Sequence, residues 1–253
     1  MNHEEQLIAD LPGAASRGEI VAYYQPQIDL GSGDIVAVES LSRWMHPELG
    51  MQSPLMFIPI AEEFGQIDEI GEFMVSEACS TAADFTEKGL GIEVSVNVSA
   101  LQLARRGFFE HLESELATLE ILPDVITLEI TESRFIANRP QVADRLSHLR
   151  DDGVGISIDD FGVGHSSVEQ VLALPASELK IDRTIVQNED EGLMATIVRL
   201  AQDRGLRTVA EGVETEEQLH RVRALGCDRA QGYLIAEPLP RDELDALVLE
   251  RRG

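Results

Sequence analysis

Short stretches in which alternate residues are Val, Ile or Leu recur along this chain, and longer stretches of helical character separate them. In VITLEITE, which begins at Val125, the apolar residues alternate with Thr127 and Glu129. Successive side chains of a β-strand point to opposite faces, so this alternation predicts strands with one apolar and one polar face. Strands that alternate with helices predict a parallel sheet that those helices cover.

The length of the chain and the number of these strands together predict a closed barrel. The chain has 253 residues, and a barrel of eight strands and eight helices has about 250. The first two strands, near 20–30 and 34–44, are separated by a Gly-Ser-Gly turn, which predicts a hairpin. We therefore expect an α/β fold, a TIM-like (β/α)8 barrel variant with an antiparallel first strand pair. We expect one domain over 1–253, with a core over about 18–250.

The composition limits which partners the protein can bind and indicates its location in the cell. The formal charge is −26, which disfavours nucleic-acid polymers and acidic membranes because both are polyanions. The start of the chain lacks the basic and apolar segments of a signal peptide, and no apolar run approaches the ~18 residues of a membrane span. These observations predict a cytoplasmic protein without a membrane partner. Cys79 and Cys227 lack metal-ligand spacing, and we interpret both as small core residues.

Polar side chains occur where the predicted strands end. They are five carboxylates and one asparagine, joined by a lysine and a glutamine: Glu39, Asn97, Glu129, Asp159, Asp160 and Glu211, with Lys180 and Gln231. Because the ends of parallel strands meet at one end of a barrel, we expect these side chains to converge. Carboxylate and amide oxygens are ligands for hard divalent cations, and a pair of such cations needs a bridging carboxylate. The sequence therefore predicts a metal site at the mouth of the barrel.

The paired aspartates can act together only if the backbone turns next to them. Asp159 and Asp160 are neighbours, so on a regular strand their side chains would point to opposite faces. Phe161 and Gly162 follow them, and we expect the glycine to allow a turn that brings both carboxylates to the mouth.

Three residues keep alternative interpretations. Lys180 is a counter-charge to the acidic mouth, a group that orients and activates a water, or both. Glu211 is either a metal ligand or a general base, and we favour the ligand. Glu132, three residues after Glu129, is either a brace for the loop that follows Asp160 or a solvent-exposed acid at the start of a helix.

Segments along nearly the whole chain resemble the EAL-domain phosphodiesterases, which hydrolyse the bacterial second messenger cyclic di-GMP. The segments are YYQPQIDL, GDIVAVESLSRWMHPELG, VSVNVSALQL, LEITES, IDDFGVGHSS, LKIDR, VAEGVET and QGYLIAEPLP. So many segments in one order make a chance resemblance negligible. The family fold is a barrel with an antiparallel first strand pair, which agrees with the hairpin at the start of this chain.

The resemblance implies roles for individual residues. Two Mg²⁺ or Mn²⁺ ions, bridged by Asp159, would be held by Glu39, Asn97, Glu129, Asp159, Asp160 and Glu211. The catalytic residues would be Lys180, Glu211, Asp159 and Asp160. Substrate would be bound by Gln25, Arg43, Glu214 and Gln231, and Glu132 would stabilise a loop. The implied reaction opens cyclic di-GMP to linear 5′-pGpG by two-metal activation of water.

The chain also departs from the family pattern. Its signature triplet has Ser40 in place of alanine, on the face away from Glu39, so we expect metal binding to be unaffected. Val163 and His165 replace Thr and Tyr in the loop after the paired aspartates, which in the family is tied to dimerisation and metal capture. These changes bear on rate and regulation more than on the reaction.

The main alternative is a catalytically silent receptor for cyclic di-GMP on the same fold, and a partner-binding scaffold is a third reading. A receptor would more often lack Glu39, Asp159 or Lys180, and all three are present, so we favour the enzyme. The resemblance further implies a homodimer. No segment resembles a sensor domain, so we expect a separate regulatory protein to supply the input.

Overall fold

A computed structural model describes residues 2–131, 140–162, 174–188 and 191–252. Its strands are β1 Ile20–Asp29, β2 Ile35–His46, β3 Gly50–Gln52, β4 Glu93–Asn97, β5 Ile126–Thr131, β6 Gly155–Phe161, β7 Glu178–Ile181, β8 Arg207–Ala210 and β9 Arg229–Gln231. Its α-helices are α1 His3–Asp10, α2 Pro54–Glu63, α3 Ile67–Glu87, α4 Ala100–Leu103, α5 Arg106–Thr118, α6 Pro140–Asp151, α7 Arg183–Gln187, α8 Glu191–Gln202, α9 Glu216–Ala224 and α10 Arg241–Arg252. A short 3-10 helix, Pro123–Val125, precedes β5.

Eight of these strands close into a barrel. The order around it is β1-β9-β8-β7-β6-β5-β4-β2, and β1 also pairs with β2. Seven of the eight strands, β2 and β4 to β9, run parallel to one another. The eighth, β1, is antiparallel to both of its neighbours, β2 and β9. The predicted barrel with an antiparallel first strand pair is confirmed.

The alternation of the sequence explains how the barrel is packed. In β5, Ile126 and Leu128 are fully buried on the outer face, under the helices, and belong to the hydrophobic core. Thr127 and Glu129 have the opposite parity and point into the barrel, where the side chains of the other strands are also polar. The helices begin at local signals as well: the hydroxyl of Ser53 accepts a hydrogen bond from the backbone N–H of Leu55 at the start of α2.

The strand β2 is longer than the barrel requires. It pairs with β4 only as far as Ser40 and then continues to His46, paired with β1 and with the short strand β3. Glu39 therefore lies within its strand, and the expectation that it ends one was wrong. It still lies level with the carboxyl ends of the other strands, because its neighbour on β4 is Ser95, two residues before Asn97.

Several expectations fall on residues outside the described ranges. These are the loop-stabilising role of Glu132 and the effects of Val163 and His165. Within the described ranges, no helix is both long and apolar enough to cross a bilayer. Cys79 and Cys227 are buried in the core as expected, and burial raises the pKa of each thiol to about 12.

Candidate metal and substrate site

A buried lysine lies at the centre of the polar cluster. Lys180, 1% exposed, reaches from β7 to carboxylates on four other parts of the barrel. Its Nζ is 2.6 Å from Glu129 Oε2, 2.8 Å from Glu211 Oε1, 3.1 Å from Glu39 Oε2 and 3.2 Å from Asp159 Oδ1. An ammonium has three hydrogens, so it cannot satisfy four carboxylates equally. The carboxylates outnumber the cation that neutralises them.

Amide side chains hold Glu39 in place. Asn97 Nδ2 donates to Glu39 Oε1 at 2.7 Å, and Gln231 Nε2 donates to Glu39 Oε2 at 2.6 Å. Lys180 donates to the same Oε2. Both oxygens of this carboxylate are therefore engaged by three residues from three other strands.

The paired aspartates are brought together by a β-bulge. Ile158 pairs with Leu179 and Phe161 pairs with Ile181, so Asp159 and Asp160 together oppose Lys180. The extra residue lets both carboxylates reach the mouth. Asp160 adopts φ 56°, a left-handed conformation that costs an L-residue free energy. The sequence predicts a turn at the following glycine, and Gly162 does have a positive φ of 101°, but Asp160 contributes to the turn as well.

The arrangement fits divalent cations. One carboxylate oxygen from each of Asp159, Asp160 and Glu211 lies within 4.8 Å of the others. Among the described residues, buried Glu129 Oε1 and Asp159 Oδ1 have no hydrogen-bond partner, although Asp159 Oδ1 lies at ion-pair distance from Lys180. The donors are all oxygens, the ligand type that Mg²⁺ and Mn²⁺ prefer. A cation of that class would satisfy the two orphaned oxygens.

The pKa values show the cost of crowding these acids together. Burial raises the pKa of Glu129 and Glu211 well above the ordinary value, and the charges of Glu39 and Asp159 raise both further. Burial and the adjacent Asp159 raise the pKa of Asp160 to about 6. Glu39 differs: burial alone would raise its pKa, but Lys180 and the amide donors lower it. Protons or cations must therefore offset the excess negative charge.

A cavity of about 450 Å³ opens beside this cluster. Its polar end is formed by Glu39, Asn97 and the paired aspartates, and its remaining wall is largely apolar side chains of α2 and α3, among them Ile58 and Ile70. An apolar cleft with polar groups at one end is typical of sites for small ligands. The cleft therefore extends from the carboxylate cluster toward α2 and α3.

The four residues expected to bind substrate differ in their surroundings. Gln25 and Gln231 are buried and hydrogen-bonded to each other, 2.9 Å apart. Glu214 is exposed beyond the end of β8 and accepts a hydrogen bond from Gln187. The guanidinium of Arg43 stacks on the ring of Tyr23 at 5.5 Å and, among the described residues, forms no ion pair with a carboxylate. The positive charge of Arg43 is therefore available for an anionic ligand, and the role of all four residues stays a prediction.

A second ion cluster, which the sequence analysis missed, lies at the amino end of the barrel. Glu93 forms paired hydrogen bonds with the guanidinium groups of Arg207 and Arg229. Glu178 Oε2 accepts a hydrogen bond from Arg207 Nε at 2.6 Å. These residues begin β4, β7, β8 and β9 and share the parity of the site residues further along each strand. That parity was the signal that could have revealed them.

Comparison with known proteins assigns the family. The EAL domain family matches residues 8–238. This chain belongs to the EAL domain family. The solved structure of the PaMucR phosphodiesterase in complex with c-di-GMP is 39% identical, with a TM-score of 0.89 over 94% of this chain and 99% of that chain.

The curated relatives are longer proteins. The bifunctional diguanylate cyclase/cyclic di-GMP phosphodiesterase MucR of Pseudomonas aeruginosa is 39% identical over 96% of this chain and 36% of its own length. The cyclic di-GMP phosphodiesterase RocR of the same organism is 35% identical over 92% of this chain and 61% of its own length. This chain thus spans between about a third and three fifths of these relatives. That residues 1–253 form a single domain stays a prediction.

Proposed function

We propose that this EAL domain is a metal-dependent phosphodiesterase that hydrolyses cyclic di-GMP to linear 5′-pGpG. The observation that carries the proposal is the excess of carboxylate over cation at the mouth. Four acids lie within ion-pair distance of one ammonium, and a fifth, Asp160, lies beside them. Within the described part of the chain, two buried carboxylate oxygens of this group lack hydrogen bonds. The names of the similar proteins MucR and RocR supply the substrate class.

The residues that would hold two divalent cations are Glu39, Asn97, Glu129, Asp159, Asp160 and Glu211. When bound, such cations stabilise the oxygens that attack and leave the phosphorus and make water a better nucleophile at neutral pH. The protein contributes a fixed set of ligands, because Glu39 is held by hydrogen bonds from Asn97 and Gln231 before any ligand arrives. The amide of Asn97 donates to Glu39, so its side-chain carbonyl oxygen is free of that bond and available as a ligand.

Lys180 and Arg43 have different tasks in this proposal. Lys180 neutralises part of the acidic cluster and, at the centre of the ligand set, is placed to orient the attacking water. Arg43 would bind a phosphate oxygen of the dinucleotide, since its guanidinium is half-buried and stacked on Tyr23. We assign one half of the substrate to the cleft beside Glu39. The roles of Gln25, Glu214 and Gln231 toward the guanine bases rest on the family resemblance.

The test is hydrolysis by the purified protein with Mg²⁺ or Mn²⁺, with an EDTA control, followed by chromatography of the products. We expect 5′-pGpG in the presence of metal and none with EDTA. Glu39→Ala should bind the dinucleotide without cleaving it, whereas Glu110→Gln, at an exposed carboxylate on an outer helix, should match wild type. Binding without cleavage by folded wild-type protein with both metals would contradict the enzyme and support the receptor on the same fold.

We also propose how the protein assembles and where it is located. The family resemblance suggests a homodimer. A separate regulatory protein and a cytoplasmic location are further proposals that rest on the sequence. Light scattering after size-exclusion chromatography tests the first of these, with a mass of twice 27.8 kDa as the expected result.

A further inference from the structure

Three buried glutamines form a chain of hydrogen bonds that ends at Glu39. Gln27 Nε2 donates to Gln231 Oε1 at 2.9 Å, and Gln231 Nε2 donates to Gln25 Oε1 at 2.9 Å and to Glu39 Oε2 at 2.6 Å. Gln25 Nε2 in turn donates to the backbone oxygen of Ala236. The strands themselves place these groups together, because Gln25 is the cross-strand partner of Glu39 and Gln27 is the partner of Gln231.

Glu39 determines which way the hydrogen bonds between these glutamines point. An ionised carboxylate accepts hydrogen bonds and donates none, so Gln231 must present its NH₂ group to Glu39. The carbonyl oxygen of Gln231 then faces the other way and needs a donor. Gln27 supplies that donor from a position that is 1% exposed. If Gln231 turned over, its carbonyl oxygen would face the carboxylate and both oxygens would repel each other.

We propose that Gln27 is a positioning residue for the metal site, which acts through Gln231 to hold Glu39 in its ligand orientation. The inference rests on the proposed function, because it assumes that Glu39 binds a cation. Gln27 itself contacts none of the expected ligands. Its amide selects one of the two orientations of the Gln231 amide, and that orientation aims a donor at Glu39.

The role proposed for Gln27 differs from the roles expected of Gln25 and Gln231, because those two residues were expected to bind substrate. Both amide hydrogens of Gln231 are already engaged, by Gln25 and Glu39, and its oxygen is engaged by Gln27. In this state the glutamine serves the metal ligand. Loss of Gln27 should therefore affect metal affinity first and substrate affinity second.

The experiment measures Mn²⁺ binding to the whole chain by electron paramagnetic resonance, with no substrate present. Gln27→Met keeps the length of the side chain and removes the amide. We expect the dissociation constant for Mn²⁺ to rise by up to about 10- to 100-fold, the usual effect of losing a direct partner of a metal ligand, because Gln27 acts through such a partner, Gln231. At saturating Mn²⁺, KM for cyclic di-GMP should stay near the wild-type value. Gln27→Glu is the second variant: its carboxylate would accept from the Gln231 amide and turn it away from Glu39, with the same expected loss.

A matched control and a double-mutant cycle distinguish positioning from general damage. Gln52→Met removes another buried glutamine amide, which donates to the backbone oxygens of Leu49 and Gly50, and should leave Mn²⁺ affinity unchanged. If Gln27 acts through Gln231, adding Gln27→Met to Gln231→Met should weaken Mn²⁺ binding no further than Gln231→Met alone.

Two results would overturn the inference: wild-type Mn²⁺ affinity in both Gln27 variants, or losses from Gln27→Met and Gln231→Met that multiply in the double variant. Wild-type protein that binds Mn²⁺ but does not cleave cyclic di-GMP would contradict the proposed enzyme. The double-mutant cycle would still test the role of Gln27, because it measures Mn²⁺ affinity and not cleavage. Wild-type protein that binds no Mn²⁺ would refute both.

Discussion

The two ends of this barrel each hold a cluster of charged side chains, and the clusters are balanced in opposite ways. At the amino end, Glu93 and Glu178 meet Arg207 and Arg229, two acids with two bases. At the carboxyl end, four acids contact the single ammonium of Lys180, and a fifth, Asp160, lies beside two of them. The first cluster is complete as it stands, whereas the second needs further positive charge.

The pKa values follow the same division. Burial alone would raise the pKa of Glu93, but its two guanidinium partners bring it below the ordinary value. Glu129, by contrast, has its pKa raised by burial and by its acidic neighbours. A charge cluster that satisfies itself stabilises the fold, and one that does not is suited to bind a cation. The comparison thus separates structural from functional charge within one set of strands.

The largest effect should come from the carboxyl end. Glu129→Gln removes the charge of a fully buried carboxylate and should lower kcat/KM for cyclic di-GMP by about 10³-fold, because metal ions supply several kcal/mol of transition-state stabilisation. The free energy of unfolding without metal should not fall, since one acid fewer is crowded around Lys180. Steady-state kinetics and urea denaturation of the same preparation check both statements.

Disrupting the ion cluster at the amino end should lower stability and leave metal binding unchanged. Arg229→Met removes a cation from the half-buried Glu93 and from the buried Glu178, and should cost about 3 kcal/mol of stability because both acids lose a partner. Mn²⁺ affinity should stay at the wild-type value. Urea denaturation and Mn²⁺ titration test this, and a large loss of Mn²⁺ affinity in a folded Arg229→Met protein would mean that the two clusters are coupled.

Mn²⁺ should stabilise the protein only through the cluster at the carboxyl end of the barrel. At free Mn²⁺ of about 100 times the dissociation constant, linkage predicts a gain of about 2.7 kcal/mol in the free energy of unfolding. Arg229→Met should keep this gain and Glu129→Gln should lose most of it. Equal gains in both variants, measured by denaturation with and without Mn²⁺, would place the cation elsewhere.

A smaller effect is expected at the bulge. Asp160 holds φ 56° without being glycine, so Asp160→Gly should stabilise the metal-free protein by about 1 kcal/mol while abolishing activity. Asp160→Asn is the matched control: it removes the same charge and keeps the backbone cost. A Gly variant no more stable than the Asn variant, by urea denaturation, would show that the left-handed turn carries no strain.

The smallest effect concerns pH. The folded pKa of Asp160, about 6, exceeds the unfolded value, so the folded metal-free protein binds more protons than the unfolded chain between these values. Its stability should therefore rise slightly as pH falls from 8 to 6. With saturating Mn²⁺ the trend should reverse, because protons compete with the metal for the same oxygens. Denaturation at pH 8, 7 and 6, with EDTA or Mn²⁺, measures both slopes.

Much of this molecule could be predicted from its sequence because strand parity is a local property. The alternation in β5 and β6 placed Glu129 and Asp159 on the inner face, and the Gly-Ser-Gly turn predicted the antiparallel strand β1. The convergence of the acidic residues on Lys180 followed from the closure of the barrel.

What could not be predicted depends on register between strands. The bulge that aligns Asp159 with Asp160 is visible only where β6 pairs with β7. The extension of β2 beyond its pairing with β4 is set by β1 and β3, and it places Glu39 within a strand. The role of Gln27 likewise depends on its register with Gln231 across β1 and β9. Parity tells which face a side chain occupies, and register tells which side chain it meets.

The most direct measurement is the number of Mn²⁺ ions bound per chain at equilibrium, by electron paramagnetic resonance, in the wild type and in Glu129→Gln. We expect two ions in the wild type, and fewer ions or much weaker binding in Glu129→Gln. No bound Mn²⁺ in the folded wild type, or the same number with the same affinity in Glu129→Gln, would contradict the assignment of the acidic mouth as a metal site.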